Sequence, residues 1–259
     1  MSQDNNEAGE EQTFISHLIE LRNRLIKVVV FVLLVFIALS FIKEGIYTFV
    51  AEPLLKHLPK NGTMIATEVA SPFFTPFKLA LVAAVFICVP YILYHFWAFI
   101  APGLYQHERR LILPLLIAST GLFFAGVAFA YYVVFPMVFG FLSAAAPSGV
   151  TVMTDISNYL DFVIAMFFAF GICFEVPIFT VVLVMTGIVS PKVLAEQRPY
   201  VIVGVFIIGM FLTPPDVVSQ TMLAIPMWLL FEIGLLFSRL ISRKPDDGNV
   251  VPQKAINKK

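Results

Sequence analysis

The chain has 259 residues, of which 59% are hydrophobic and only 13% charged, with 17 basic and 17 acidic side chains and a mean hydropathy of +0.89. A soluble domain carries about 25% charged residues, so this composition excludes an ordinary soluble protein and places the chain in a bilayer. The zero net charge also argues against general nucleic-acid binding, and the 27 phenylalanines lie inside apolar runs, where they pack against lipid and other helices.

Residues 1–12 are polar and acidic and read as a disordered tail. From Thr13 onward Phe14, Leu18, Leu21 and Leu25 recur at helical spacing, with Ser16, Glu20 and Arg24 on other faces. This pattern predicts an amphipathic lead-in over 13–25, lying at the membrane surface. The first span follows over about 26–42; with a polar tail before it and no small-residue cleavage site, it reads as a retained anchor. The loop from Lys43 to about Pro76 is expected to be ordered, with a surface helix through Ile46, Phe49, Val50 and Leu54 that Pro53 interrupts.

The second span, about 77–100, should bend near Pro90 and ends in Tyr91, Tyr94, Phe96, Trp97 and Phe99, the aromatic belt expected at a membrane–water interface. Spans three and four cover about 111–142 and 156–188, with Pro114, Pro136 and Pro177 expected to kink them. The fifth, about 200–212, reaches only about 20 Å against a hydrocarbon core of about 30 Å. Thr213-Pro214-Pro215-Asp216 ends it, and a sixth span returns over about 217–236. The prediction is therefore an all-α polytopic membrane protein. Residues 13–238 form one six-span domain whose last two spans are short, followed by a basic, disordered tail over 239–259. Cys88 and Cys173 both fall within spans, so no disulfide is expected.

Six spans put both termini on one side. That side carries 13 of the 17 basic residues, whereas Lys43, Lys56, Lys60 and Lys78 lie on the other. The positive-inside rule makes both termini cytoplasmic. Enzyme signatures are absent: there is no zinc helix, no phosphate-cradling loop and no nucleophile elbow. His17, His57, His95 and His107 lack metal-ligand spacing, so neither catalytic residues nor a metal or cofactor is predicted.

The acidic residues carry the functional information. Glu20 can pair with Arg24 four residues on, and Glu108 can complement the dipole at the start of the third span. Both lie on the cytoplasmic side, where two carboxylates together would read a pair of guanidinium groups. Glu175 sits deep in the fourth span, where an ionisable group must be paired, protonated or exposed to a water-filled cavity. Asp216 reads equally as a helix N-cap after Pro214-Pro215 and as part of a polar cluster with Thr213 and Gln220. Glu232 is placed to reach Arg239.

Four ordered motifs carry a family resemblance. They are His17-Leu18-Ile19-Glu20-Leu21-Arg22 with Arg24, the run Phe99-Ile100-Ala101-Pro102-Gly103-Leu104-Tyr105-Gln106-His107-Glu108-Arg109-Arg110, Phe174-Glu175-Val176-Pro177, and Leu212-Thr213-Pro214-Pro215-Asp216. Together they resemble the TatC family, the multi-span core subunit of the twin-arginine protein translocase, over Thr13 to Arg239. The resemblance implies a cup-shaped, six-helix membrane protein with cytoplasmic termini. It also implies that Glu20, Glu108 and Phe99 contact the paired arginines of a signal peptide and that Glu175 is an acid facing the concave side. Thr213 and Gln220 then match docking positions for single-span partner subunits. Asp216 and Pro53 match functionally sensitive positions on the periplasmic side. Gln106 stands where some relatives have a basic residue.

The expected function is that of a receptor and assembly scaffold, not an enzyme. It receives folded passenger proteins bearing twin-arginine signal peptides and exports them across a bacterial cytoplasmic membrane, using the proton-motive force and partner subunits. Self-association within a larger complex is expected as well. The alternative is a proton-coupled small-molecule carrier with Glu175 as its relay. An intramembrane hydrolase ranks third, lacking a nucleophile–base set.

Overall fold

The computed structural model describes residues 4–57, 64–100, 112–144, 153–212 and 217–242. They form ten α-helices: α1 (Asp4–Ser40), α2 (Lys43–His57), α3 (Ser71–Ile87), α4 (Val89–Ile100), α5 (Ile112–Phe129), α6 (Phe135–Ala144), α7 (Ile156–Met185), α8 (Pro191–Glu196), α9 (Arg198–Leu212) and α10 (Val217–Ser242). A π-helical turn, Ala130–Val134, joins α5 to α6. Among the described residues the only β-type pairing is an isolated bridge between Ile65 and Asp155.

Among the described residues, four stretches are long and apolar enough to cross a membrane: Leu18–Ser40, Leu113–Phe141, Ile156–Met185 and Gln220–Leu240. A fifth is the α3–α4 pair, bent by 49°. Helix α9 is apolar but short, as the sequence predicts, whereas α10, expected to be short as well, extends over 26 residues and holds a full-length apolar stretch. Helix α1 begins at Asp4, inside the stretch that composition reads as a disordered tail, and runs unbroken from the lead-in into the span. No proline or glycine falls between Glu10 and Glu44, so nothing interrupts its backbone ladder.

Helix α7 is the central post, packed against α5 on one side and α10 on the other, while α1 touches α3 and α4, and α9 leans on α10. Glycines permit these approaches. A Cβ on Gly126 of α5 would stand 2.5 Å from the Phe170 carbonyl oxygen of α7. One on Gly234 of α10 would collide with Thr180 and come within 2.8 Å of the Pro177 Cα. Small residues at helix crossings are the usual means of close packing in a bilayer, where burial of apolar surface gives no drive for association. The main core is aromatic and aliphatic, with Phe86, Phe123, Phe135, Phe167 and Phe170 interlocking between α3, α5, α6 and α7.

The prolines act differently from one another. The bend between α3 and α4 falls at Cys88, just before Pro90, as expected. Pro136 follows the π-turn, a common way to absorb a missing backbone donor. Pro114 lies in the first described turn of α5, where a proline is tolerated. Pro177 is enclosed in the continuous 30-residue α7. Pro53 does not interrupt α2, contrary to expectation. Having no N–H, it leaves the Phe49 carbonyl without a helical donor, and the Tyr131 hydroxyl donates to that oxygen at 2.8 Å. The Phe49 and Tyr131 rings stack at 4.9 Å. Tyr159 donates likewise to the Val50 carbonyl at 2.8 Å.

The described part of the first long loop is ordered by its partners. Asp155 caps α7 by accepting from the Ser157 and Asn158 amides, and its other oxygen accepts from the Thr67 amide at 2.9 Å and hydroxyl at 2.7 Å. These hydrogen bonds hold the Asp155 carboxyl down at a pKa of about 2.

Candidate functional site

One polar cluster sits where α1 meets the end of α4. Glu20 and Arg24 lie one turn apart on α1, and Arg24 donates through Nε and NH2 to the same Glu20 oxygen, Oε1, at 2.9 and 2.6 Å. The same guanidinium reaches across to α4, with NH1 3.4 Å from His95 Nδ1 and NH2 3.5 Å from the Ala98 carbonyl. Because arginine only donates, His95 Nδ1 accepts, which assigns the ring hydrogen to Nε2. Aromatic packing fixes the ring: His95 lies edge-on to Tyr91 at 4.5 Å, and Tyr91 contacts Phe31 of α1 at 4.7 Å. Phe99, half-buried, follows Ala98 on the same helix. Glu20 remains 40% exposed, against 24% for Arg24. The cluster is thus an accessible carboxylate backed by a cation and bounded by aromatic side chains. Glu108 and the rest of the loop that holds it lie outside the described residues.

A second cluster lies within the bundle. Glu175 is only 5% exposed, ten residues before the end of α7, which sets it about 15 Å from that end. Both of its carboxyl oxygens are buried without a hydrogen-bond partner. The polar side chain facing it is the fully buried Ser119 of α5, near enough to act on the carboxyl but outside ideal hydrogen-bond geometry. Ser119 also accepts from Trp97, whose Nε1 donates to its hydroxyl oxygen at 3.2 Å, which leaves the Ser119 O–H hydrogen able to turn toward Glu175. Trp97 belongs to the end of α4, two residues before Phe99. A row of polar groups, Trp97–Ser119–Glu175, therefore leads from the α1–α4 cluster into the bundle. Unmatched carboxyl oxygens in such a place are poised for a hydrogen-bond donor or a proton.

The third feature is the α9–α10 pair. Gln220 donates through Nε2 to the Phe206 carbonyl at 2.8 Å and packs where Gly209 leaves room. Beside it an apolar groove of about 200 Å³ is lined by Ile202, Val205, Phe206, Ala224, Ile225 and Trp228. Thr213 and Asp216 lie outside the described residues. Glu232 is tied not to the expected Arg239 but to Arg198, which donates to both carboxylate oxygens at 2.6 and 2.7 Å and joins α9 to α10. Among the described residues, no three His, Cys, Asp or Glu side chains gather in a way that could hold a metal.

With this geometry in hand, similarity to known proteins settles the family. The profile described as "Sec-independent protein translocase protein (TatC)" matches residues 16–226. The chain is 60% identical over 241 residues to TatC of Haemophilus influenzae, covering 93% of this chain and 94% of that protein. The chain belongs to the TatC family. It is also 57% identical over 230 residues to TatC of Escherichia coli, covering 89% of each chain. Among solved structures it resembles the "Crystal Structure of Twin Arginine Translocase Receptor- TatC", with a TM-score of 0.79 and 38% identity over 88% of this chain and 100% of that one.

The structure thus brings Glu20 and Phe99 to the α1–α4 junction, buries Glu175 and places Gln220 between α9 and α10. Pro53 it places apart, on α2. Arg24's cross-helix contacts, Ser119, Trp97 and the Asp155–Thr67 clamp escaped the sequence reading. Only the Glu20–Arg24 spacing offered a signal, because the other partners are 22 to 88 positions apart in sequence.

Proposed function

We propose that the chain is the receptor subunit of a twin-arginine translocase, a transport component and not an enzyme. The accessible Glu20 carboxylate at the α1–α4 junction, in a chain of this family, is the observation that carries the proposal. Glu20, Phe99 and Glu108 would receive the paired arginines of a signal peptide at the cytoplasmic surface. A carboxylate holds a guanidinium through two directed hydrogen bonds, which favours arginine over lysine. The excess of basic residues supports cytoplasmic termini and a bacterial cytoplasmic membrane as the location.

Single-span partner subunits would dock on the α9–α10 groove with Gln220 and Thr213, and Glu175 would meet a donor supplied by an incoming segment. Asp216 and Pro53 would shape the opposite, periplasmic side. The six-span domain over 13–238, self-association within a larger complex, and export of folded passengers driven by the proton-motive force belong to the same proposal. The test is peptide binding by the assembled protein in detergent or nanodiscs. A charge-assisted hydrogen bond contributes about 1.5–3 kcal/mol, so Glu20→Gln together with Glu108→Gln should weaken a twin-arginine peptide roughly tenfold or more. Unchanged binding would overturn the proposal.

A further inference from the structure

We propose that Arg24 is an internal stand-in for the incoming arginine, a built-in competitor that sets the affinity of the receptor site. This rests on Glu20 being part of that site. Arg24 presents to Glu20 Oε1 the same chemical group as the proposed ligand, through two of its nitrogens at 2.9 and 2.6 Å. An arriving guanidinium cannot take that oxygen in the same geometry until Arg24 yields it.

Arg24 has somewhere to go. Its NH1 already lies 3.4 Å from His95 Nδ1 and its NH2 3.5 Å from the Ala98 carbonyl, both on α4. Handover therefore exchanges one guanidinium for another at Glu20 and shifts Arg24 toward acceptors it already touches. Arg24 keeps neutral hydrogen-bond acceptors but gives up its carboxylate, and that lost ion pair is the cost the competition imposes on the ligand. The Ala98 carbonyl directly precedes Phe99, so the same movement tightens the α1–α4 junction beside the bound peptide.

Competition of this kind makes a distinctive arithmetic prediction. If only the fraction of molecules with Oε1 released can bind, the apparent Kd of every ligand rises by the reciprocal of that fraction. Removing the competitor should then strengthen all ligands by the same factor, leaving the preference for arginine over lysine unchanged. A partly exposed pair one helical turn apart closes only modestly, so the expected factor is roughly two to five. Had Arg24 served to hold Glu20 in place, its loss would weaken binding instead.

The experiment measures binding of labelled peptides containing Arg-Arg or Lys-Lys to the full chain in nanodiscs, for wild type, Arg24→Gln, Arg24→Lys, Arg22→Gln and Glu20→Gln. Arg24→Gln should strengthen both peptides by the same factor. Arg24→Lys, which keeps the charge but offers a single contact point, should give a smaller rise and decides the matter if the glutamine variant does not assemble. Arg22 contacts Asn23 and is the control for charge alone. A fall or no change in the Arg24 variants would overturn the proposal, as would an equal rise in Arg22→Gln. If Glu20→Gln leaves Arg-Arg binding intact, the receptor site itself is wrong and the competitor falls with it. If Glu20→Gln abolishes binding while Arg24→Gln does not strengthen it, only the competitor is refuted.

Discussion

Replacing Glu175 separates a functional acid from a structural one. Both its oxygens lie buried outside hydrogen-bond geometry with any partner, and the neighbouring Ser119 oxygen accepts from Trp97 while its O–H hydrogen stays available. A buried polar group left unmatched costs about 1–3 kcal/mol, whereas an apolar side chain of similar volume at the same place carries no such penalty. Glu175→Leu is therefore expected to stabilise the isolated chain by about 1–2 kcal/mol. At about 2–4 °C per kcal/mol for a chain of this size, Tm in detergent should rise by several degrees. Export of a folded passenger should fall in the same variant, because leucine can neither donate nor accept. Glu175→Gln retains both capacities and should be mild. The assay pairs thermal melting of the purified protein with passenger export and membrane abundance in cells. A Glu175→Leu protein that melts lower, or is lost from the membrane, would show that the carboxyl anchors the fold and refute the reasoning. Glutamine as damaging as leucine, at normal abundance, would point to proton transfer and the carrier mechanism.

Two further predictions concern orientation and the opposite face. A reporter active only outside the cytoplasm should work when fused after Pro147 and fail after Lys192 or Lys259, given the asymmetry of basic residues; the reverse pattern would invert the topology. Asp155 should keep its clamp on Thr67 to unusually low pH. Its folded pKa of about 2 lies below the ordinary value of 3.8, so the stability it contributes is present above about pH 4 and is lost as pH falls through about 2. Asp155→Asn should melt at a lower temperature than wild type at pH 7, and that difference should vanish toward pH 2. A difference independent of pH would mean that the carboxylate charge plays no part.

Much of the fold was legible because bilayers impose simple rules on sequence. The apolar runs, the bend near Pro90 and the short fifth span all follow from hydropathy, rise per residue and a missing backbone donor. Helix α1 was misjudged because the polar faces around Ser16, Glu20 and Arg24 suggested a separate surface helix, although no breaker divides it from the span. Pro53 was misjudged because its missing donor is compensated by Tyr131, 82 positions onward. At the site, the Glu20–Arg24 pair could be read from its four-residue spacing. The choice of Arg198 over Arg239 for Glu232 could not, since it depends on how α9 leans on α10. Ser119 offered no local signal: its significance comes only from lying between Trp97 and Glu175.

On the proposed function, the α1–α4 junction receives paired arginines. Its most direct test is site-specific photocrosslinking from a probe at position 99, in membranes, to peptides that differ only in their basic pair. A strong crosslink to the Arg-Arg peptide, a weaker one to Lys-Lys and none to Gln-Gln, with the strong signal lost in Glu20→Gln, is the predicted result. Equal crosslinking to all three peptides, or none to any while the protein remains assembled, would contradict it.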